Sequence, residues 1–159
     1  MKKIVLTCFL VVTTAFYGIA QTSIESSAIN LKWEKTFKNA QKLAKSKNKP
    51  LLIFFTGSDW CGPCKMLTED FFDSDKFRKI AESDFVLYEA DYPRNHDLLT
   101  EIQIKDNSVL KAKYGVNSYP TIIILDSKGN EIGRKKSYNL MRDTSYHYQF
   151  LEEVLKKVK

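Results

Sequence analysis

The run LLIFFT at residues 51–56, followed without a break by GSDWCGPCK at 57–65, constrains this chain more than any other feature. Six apolar or β-branched residues in a row are too few for a buried helix and suit a central strand covered on both faces. Pro63 opens a helix directly behind it, because the first helical turn has no use for the N–H that proline lacks. Cys61 and Cys64 therefore sit at a strand-to-helix turn. A C-x-x-C pair serves either as half of a zinc site or as a redox dithiol. Structural zinc takes four ligands, and once the first twenty residues are set aside as a cleaved signal the chain offers beside the pair only His96 and His147, remote from it and from each other. No metal is expected, and the two histidines read as ordinary surface or half-buried residues.

The redox reading explains the placement. Cys61 faces the unpaired amides and the positive end of the helix, which stabilise its thiolate, so Cys61 is the expected nucleophile. Cys64, one turn inside, is shielded yet close enough to displace Cys61 from a mixed disulfide, and is the expected resolving thiol. Trp60, Gly62 and Pro63 keep the sulfurs together while leaving one edge open, and Lys65 adds a positive charge nearby.

The first twenty residues, MKKIVLTCFLVVTTAFYGIA, have the basic start, apolar stretch and small residues at Gly18 and Ala20 of a secretory signal cleaved after Ala20. As a membrane anchor the stretch is short and diluted by Thr7, Thr13, Thr14 and Gly18, since a span needs about 20 mostly apolar residues. A lipid on Cys8 would leave only residues 4–7 as the apolar region, below the roughly seven such a signal needs. The mature protein is expected to be periplasmic or secreted. Cys8 leaves with the signal, so one cysteine pair remains, too few for a disulfide framework. Residues 21–29 form a polar, flexible lead-in and 30–159 one domain, the 159-residue chain being too short for two well-packed ones. Losing Lys2 and Lys3 lowers the formal charge from +6 to +4. That charge is spread over lysine-rich helix faces without a basic, aromatic-interleaved stripe, so no nucleic-acid partner is expected.

Further along, Trp33, Phe37, Ala40 and Ala44 recur every three or four residues and predict a helix over 30–47, ended by Pro50. Helices are expected over 63–72 and from an Asp73-Ser74-Asp75 cap to Ala81, and a strand over 85–91. Residues 92–106 show no period, and a short helix follows Asn107 until Gly115. Strands at 121–126 and 131–138 flank the turn Ser127-Lys128-Gly129-Asn130. The last helix, 144–159, places His147, Phe150, Leu151, Val154, Leu155 and Val158 on a core-facing side. The order gives an α/β protein with a mixed sheet and helices on its faces.

The string Trp60-Cys61-Gly62-Pro63-Cys64-Lys65, with Ser118-Tyr119-Pro120-Thr121 beginning a strand and hairpin farther on, resembles the thioredoxins over about residues 30–159. The secretory signal and the phrase FTGSDWCGPCK resemble the extracytoplasmic thioredoxin-like proteins of Gram-negative bacteria. The resemblance implies the thioredoxin fold, a central mixed sheet with helices on both faces. It also implies a cis Pro120 facing the dithiol, with Tyr119 and Pro120 binding substrate, rather than a plain strand-start proline. The implied activity is that of an exported thiol-disulfide oxidoreductase that reduces or isomerises disulfides without a cofactor, as a monomer. Its partners would be disulfide-bearing exported proteins and a membrane thiol reductase that supplies electrons, the chain having no flavin or nicotinamide motif. A Gly-Pro linker goes with a reducing potential, about −270 mV in thioredoxin against about −120 mV for strong periplasmic oxidants. The alternatives are a dithiol oxidase and a non-catalytic thioredoxin-fold binding module or chaperone, the latter disfavoured by Trp60, Pro120 and both cysteines.

Three departures matter. Phe55 and Leu87 stand where cytosolic thioredoxins hold a buried carboxylate and its lysine, so the proton of Cys64 is expected to pass to water or to a peripheral acid such as Asp59, with Asp91 the other suspect. Tyr119 is closer to protein disulfide isomerase domains. The segment around 92–106 is longer than in a minimal thioredoxin by about a dozen residues, a partner-binding insertion or a plain surface loop.

Overall fold

Every residue of strand β2 (Leu51–Thr56) is buried, and the rest of the molecule is arranged around it. The computed structural model describes residues 31–158. Strand β1 (Trp33–Glu34) and helix α1 (Phe37–Lys47) precede β2. Helix α2 (Gly62–Leu67) widens into a π-helical turn (Thr68–Phe72) and is followed by α3 (Asp75–Asp84) and β3 (Val86–Asp91). A 3-10 turn (His96–Leu98) leads to α4 (Glu101–Lys113), then β4 (Thr121–Leu125), β5 (Glu131–Lys136) and α5 (Ser145–Val158).

The sheet order is β1-β3-β2-β4-β5, with β1, β3 and β2 parallel and β4 and β5 antiparallel to their neighbours. Side chains alternate across it. Leu52 and Phe54 face α2, α3 and α5, while Ile53 and Phe55 face α1 and α4. The first core is aromatic: Phe54, Phe71, Phe72 and Phe77 are buried, with Phe72 at 4.4 Å from Phe54 and 4.9 Å from Phe77, centroid to centroid. Burying each such ring contributes about 1.5–3 kcal/mol.

Two elements differ from the sequence expectation. Trp33 lies in a strand, paired with Leu87, and α1 starts at Phe37 behind the cap Thr36, whose hydroxyl accepts the Asn39 N–H. The regular spacing misleads because Trp33 packs on Phe72 in one core whereas Phe37, Ala40 and Ala44 belong to the other, across the sheet. Helix α4 starts six residues before Asn107, at a capping box between Thr100 and Gln103. It carries no apolar stripe: its buried residues are Asn107 and Leu110, while Ile102 and Val109 are exposed. In α5, His147, Phe150, Leu151 and Val154 are buried and Leu155 is half-buried, but Val158 is exposed and Tyr148 is buried instead. The reading of residues 1–20 as a signal and 21–29 as a lead-in falls outside the described residues.

Candidate functional site

The parallel strands β2 and β3 end side by side at Thr56 and Asp91, and β4 starts next to Phe55 with Thr121. Three chain segments therefore emerge at one edge: the loop into α2, the segment after Asp91, and the Tyr119–Pro120 link. Gly57 leaves β2 and turns the chain, its carbonyl accepting the N–H of Cys61 at 2.8 Å. A Cβ on Gly57 would meet the Trp60 indole at 2.4–2.7 Å, so only glycine lets that ring fold back over the loop.

Cys61 is the N-cap of α2 and its sulfur accepts the Cys64 N–H at 3.3 Å. Pro63 occupies the first turn and costs no hydrogen bond there. The two sulfurs are joined in a disulfide. Both cysteines are buried, Cys61 keeping slightly more exposure, at 4% against 1%. Lys65 reaches back to the Asp59 carbonyl at 3.0 Å. The Tyr119–Pro120 peptide bond is cis. Pro120 is buried, and its carbonyl accepts the Ser137 N–H from the continuation of β5.

Trp60 donates its indole N–H to the Tyr92 carbonyl at 2.8 Å. Its ring meets Tyr119 edge-on at 5.8 Å, and Tyr119 in turn lies 5.5 Å from Tyr92. The Tyr119 hydroxyl is buried without a hydrogen-bond partner. Asp59 binds the N–H groups of Arg94 and Asn95 with one carboxylate oxygen each, at 3.0 and 2.9 Å. The Asn95 amide, ahead of the smaller contributions of Arg94, holds the Asp59 carboxyl below the usual range. Asp59 thereby staples the insertion to the dithiol loop. Asp91 is likewise committed, accepting the backbone N–H and the hydroxyl of Ser58. Behind the rings, Asn107 accepts the Tyr88 hydroxyl, donates to the Asp91 carbonyl and receives the Tyr92 hydroxyl on its own carbonyl.

Phe55 and Leu87 are buried, so neither position supplies charge. The acid shifted toward neutrality is Glu89, on the α2 side of β3, in a cleft of about 320 Å³ that it lines with Thr56, Ser58, Lys65, Thr68 and Glu69. Glu89 is exposed as a residue, but the protein around its carboxyl, with a smaller push from Asp91, raises its pKa to about 7. Among the described residues no three His, Cys, Asp or Glu side chains gather as a metal set. His96 is exposed, whereas His147 is more deeply buried than its sequence suggests, against Phe71 and Tyr138.

The structure brings Trp60, Cys61, Cys64, Tyr119 and Pro120 to one place. Sequence reasoning missed Tyr92, Arg94, Asn107, Lys111 and Glu89. The Thr100-x-x-Gln103 box was a legible sign of α4, but no local pattern marks Tyr92 or Glu89.

The family model for the thioredoxin-like domain matches residues 37–145. The chain belongs to the thioredoxin-like family. Among curated relatives, the disulfide bond reductase DsbH of Chlamydia pneumoniae is 35% identical over 109 residues, covering 68% of this chain and 64% of its own length. The thioredoxin-related protein DsbJ of the same organism is 28% identical over 142 residues, covering 87% of this chain and 40% of its own. The chain therefore spans less than two thirds of the length of either relative. A solved DsbH oxidoreductase superposes with a TM-score of 0.70 at 31% identity, over 80% of this chain and 85% of that one. A Thermus thermophilus thioredoxin, at 20% identity and a TM-score of 0.58, shares the thioredoxin-like fold.

Proposed function

We propose that this thioredoxin-like protein is an exported thiol-disulfide oxidoreductase, with Cys61 as nucleophile and Cys64 as resolving thiol. In the reduced protein the Cys61 thiolate attacks one sulfur of a substrate disulfide. The S–S bond breaks, the departing sulfur leaves as a thiolate that takes a proton, and Cys61 is held in a mixed disulfide. Cys64 then gives up its proton and attacks the Cys61 sulfur, which releases the second substrate thiol and leaves the Cys61–Cys64 disulfide. Two electrons have moved to the substrate. A partner dithiol must return them, and the class of partner that fits an exported chain is a membrane thiol reductase. Residues of the site need no cofactor for any of these steps.

The observation that carries this reading is the Cys61–Cys64 pair at the start of α2, joined in a disulfide. The reducing direction is favoured by the relative named a disulfide bond reductase. Trp60, Gly62, Pro63 and Lys65 shape the site, and Tyr119 and the cis Pro120 bind the substrate. Export rests on the leader at residues 1–20, with 21–29 a lead-in and 30–159 the working domain; no described helix is long and apolar enough to cross a membrane. Insulin reduction decides between exchange and a binding module: Cys61→Ser should abolish turnover, and equal activity in the two proteins would favour the binding module.

A further inference from the structure

The rings beside the disulfide carry two cations. The Arg94 guanidinium lies 5.5 Å from the centroid of Trp60, and the Lys111 ammonium lies 5.2 Å from Tyr92 and 5.5 Å from Tyr119. Both side chains are exposed, and neither takes part in an ion pair among the described residues. Their positions are set by the fold. Arg94 follows a segment held to the dithiol loop at two points, by Asp59 on the Arg94 N–H itself and by Trp60 on the Tyr92 carbonyl. Lys111 stands one helical turn beyond Asn107, which is tied to Tyr88, Asp91 and Tyr92. Of the acids of the loop, Asp91 is bound by Ser58, while Asp59, on the Arg94 and Asn95 amides, keeps a negative charge that the Arg94 guanidinium partly offsets. A platform that is apolar in its middle and positive at two edges thus borders Cys61.

We propose that this platform selects disulfides whose target cysteine is flanked by Asp or Glu, the carboxylates pairing with Arg94 and Lys111 while the peptide lies across the rings. The inference rests on the exchange reading and names the substrate class of the same site. Exposed charges at the rim of an interface act mainly on the encounter rate and are screened by salt. Two such pairs together amount to a preference of about fivefold.

The test uses the reduced protein and three disulfide-bonded peptides identical except for Glu, Gln or Lys beside the cysteines. The wild type should reduce the Glu peptide with a kcat/KM about fivefold above the Gln peptide and the Lys peptide below it, a spread that collapses between about 0.01 M and about 1 M salt. The Arg94→Glu/Lys111→Glu variant should reverse the order, a gain that a misfolded protein cannot mimic. Reduction of all three peptides at equal rates at every salt concentration would overturn the inference and leave the exchange reading intact. Reduction of none would overturn both.

Discussion

Asp59, two residues before Cys61, accepts the N–H of Asn95 at 2.9 Å across 36 residues of sequence. With its second oxygen on Arg94 it fastens the insertion to the dithiol loop, so the segment after β3 is part of the site wall. Asp59→Ala should speed amide hydrogen exchange at Arg94 and Asn95 while leaving the β2 amides protected. The folded Asp59 pKa lies below its ordinary 3.8, so the carboxylate contributes its stabilisation above that value and loses it as the pH falls through the lower, folded pKa. Protection at Arg94 and Asn95 should fade in that acid range. Unchanged exchange in the variant would detach the insertion from the site.

Gly57→Ala tests the packing of the indole. The added Cβ would stand 2.4 Å from the Trp60 ring, which must swing away and give up its bond to the Tyr92 carbonyl. Because the indole is partly exposed and can move, the cost is mainly that hydrogen bond, about 0.5–1.5 kcal/mol. Urea denaturation should report that loss, together with a red-shifted Trp60 emission. A variant with native stability and native emission would show that the ring does not need the glycine.

His147 gives a pH signature to the fold. Burial, ahead of the nearby Lys135 charge and against the pull of Asp143, lowers its pKa from 6.5 to about 4. The unfolded chain therefore takes up a proton below pH 6.5 that the folded chain refuses until about pH 4, so stability drops as the pH falls through that window. The drop from this group is no more than about 3 kcal/mol. Denaturation curves at pH 7 and pH 4.5 should differ less in His147→Gln than in the wild type. An equal difference would assign the slope to other groups.

Much of this was written in the sequence, and the omissions have physical causes. The string from Leu51 to Lys65 and the Pro120 motif sufficed for the fold and for the placement of the dithiol, because a strand, a turn and a helix start are local. Strand β1 was hidden by a spacing that fits a helix while its members face opposite cores. Helix α4 was hidden because a buried asparagine replaces the apolar stripe. Tyr92 and Arg94 join the site only through the pairing of β3 with β2, a long-range fact with no local signature.

Glu89 is an acid whose surroundings favour its protonated form. Its pKa of about 7 is above the ordinary 4.5, so the folded protein holds this proton more tightly than the unfolded chain, and ionising it as the pH rises from 4.5 to 7 lowers stability. Carboxyl NMR should find the Glu89 midpoint near pH 7, and Asp91→Asn should move it down by removing a neighbouring negative charge. A midpoint in the ordinary glutamate range would show that the cleft solvates the group fully.

The division of labour between the two cysteines is tested most directly by trapping. The Cys64→Ser protein, mixed with a disulfide-bonded peptide and analysed by intact-mass and peptide mass spectrometry, should accumulate a stable adduct on Cys61, while Cys61→Ser forms little or none. An adduct that builds up faster on Cys64 of the Cys61→Ser protein, or no adduct on either, would contradict the account.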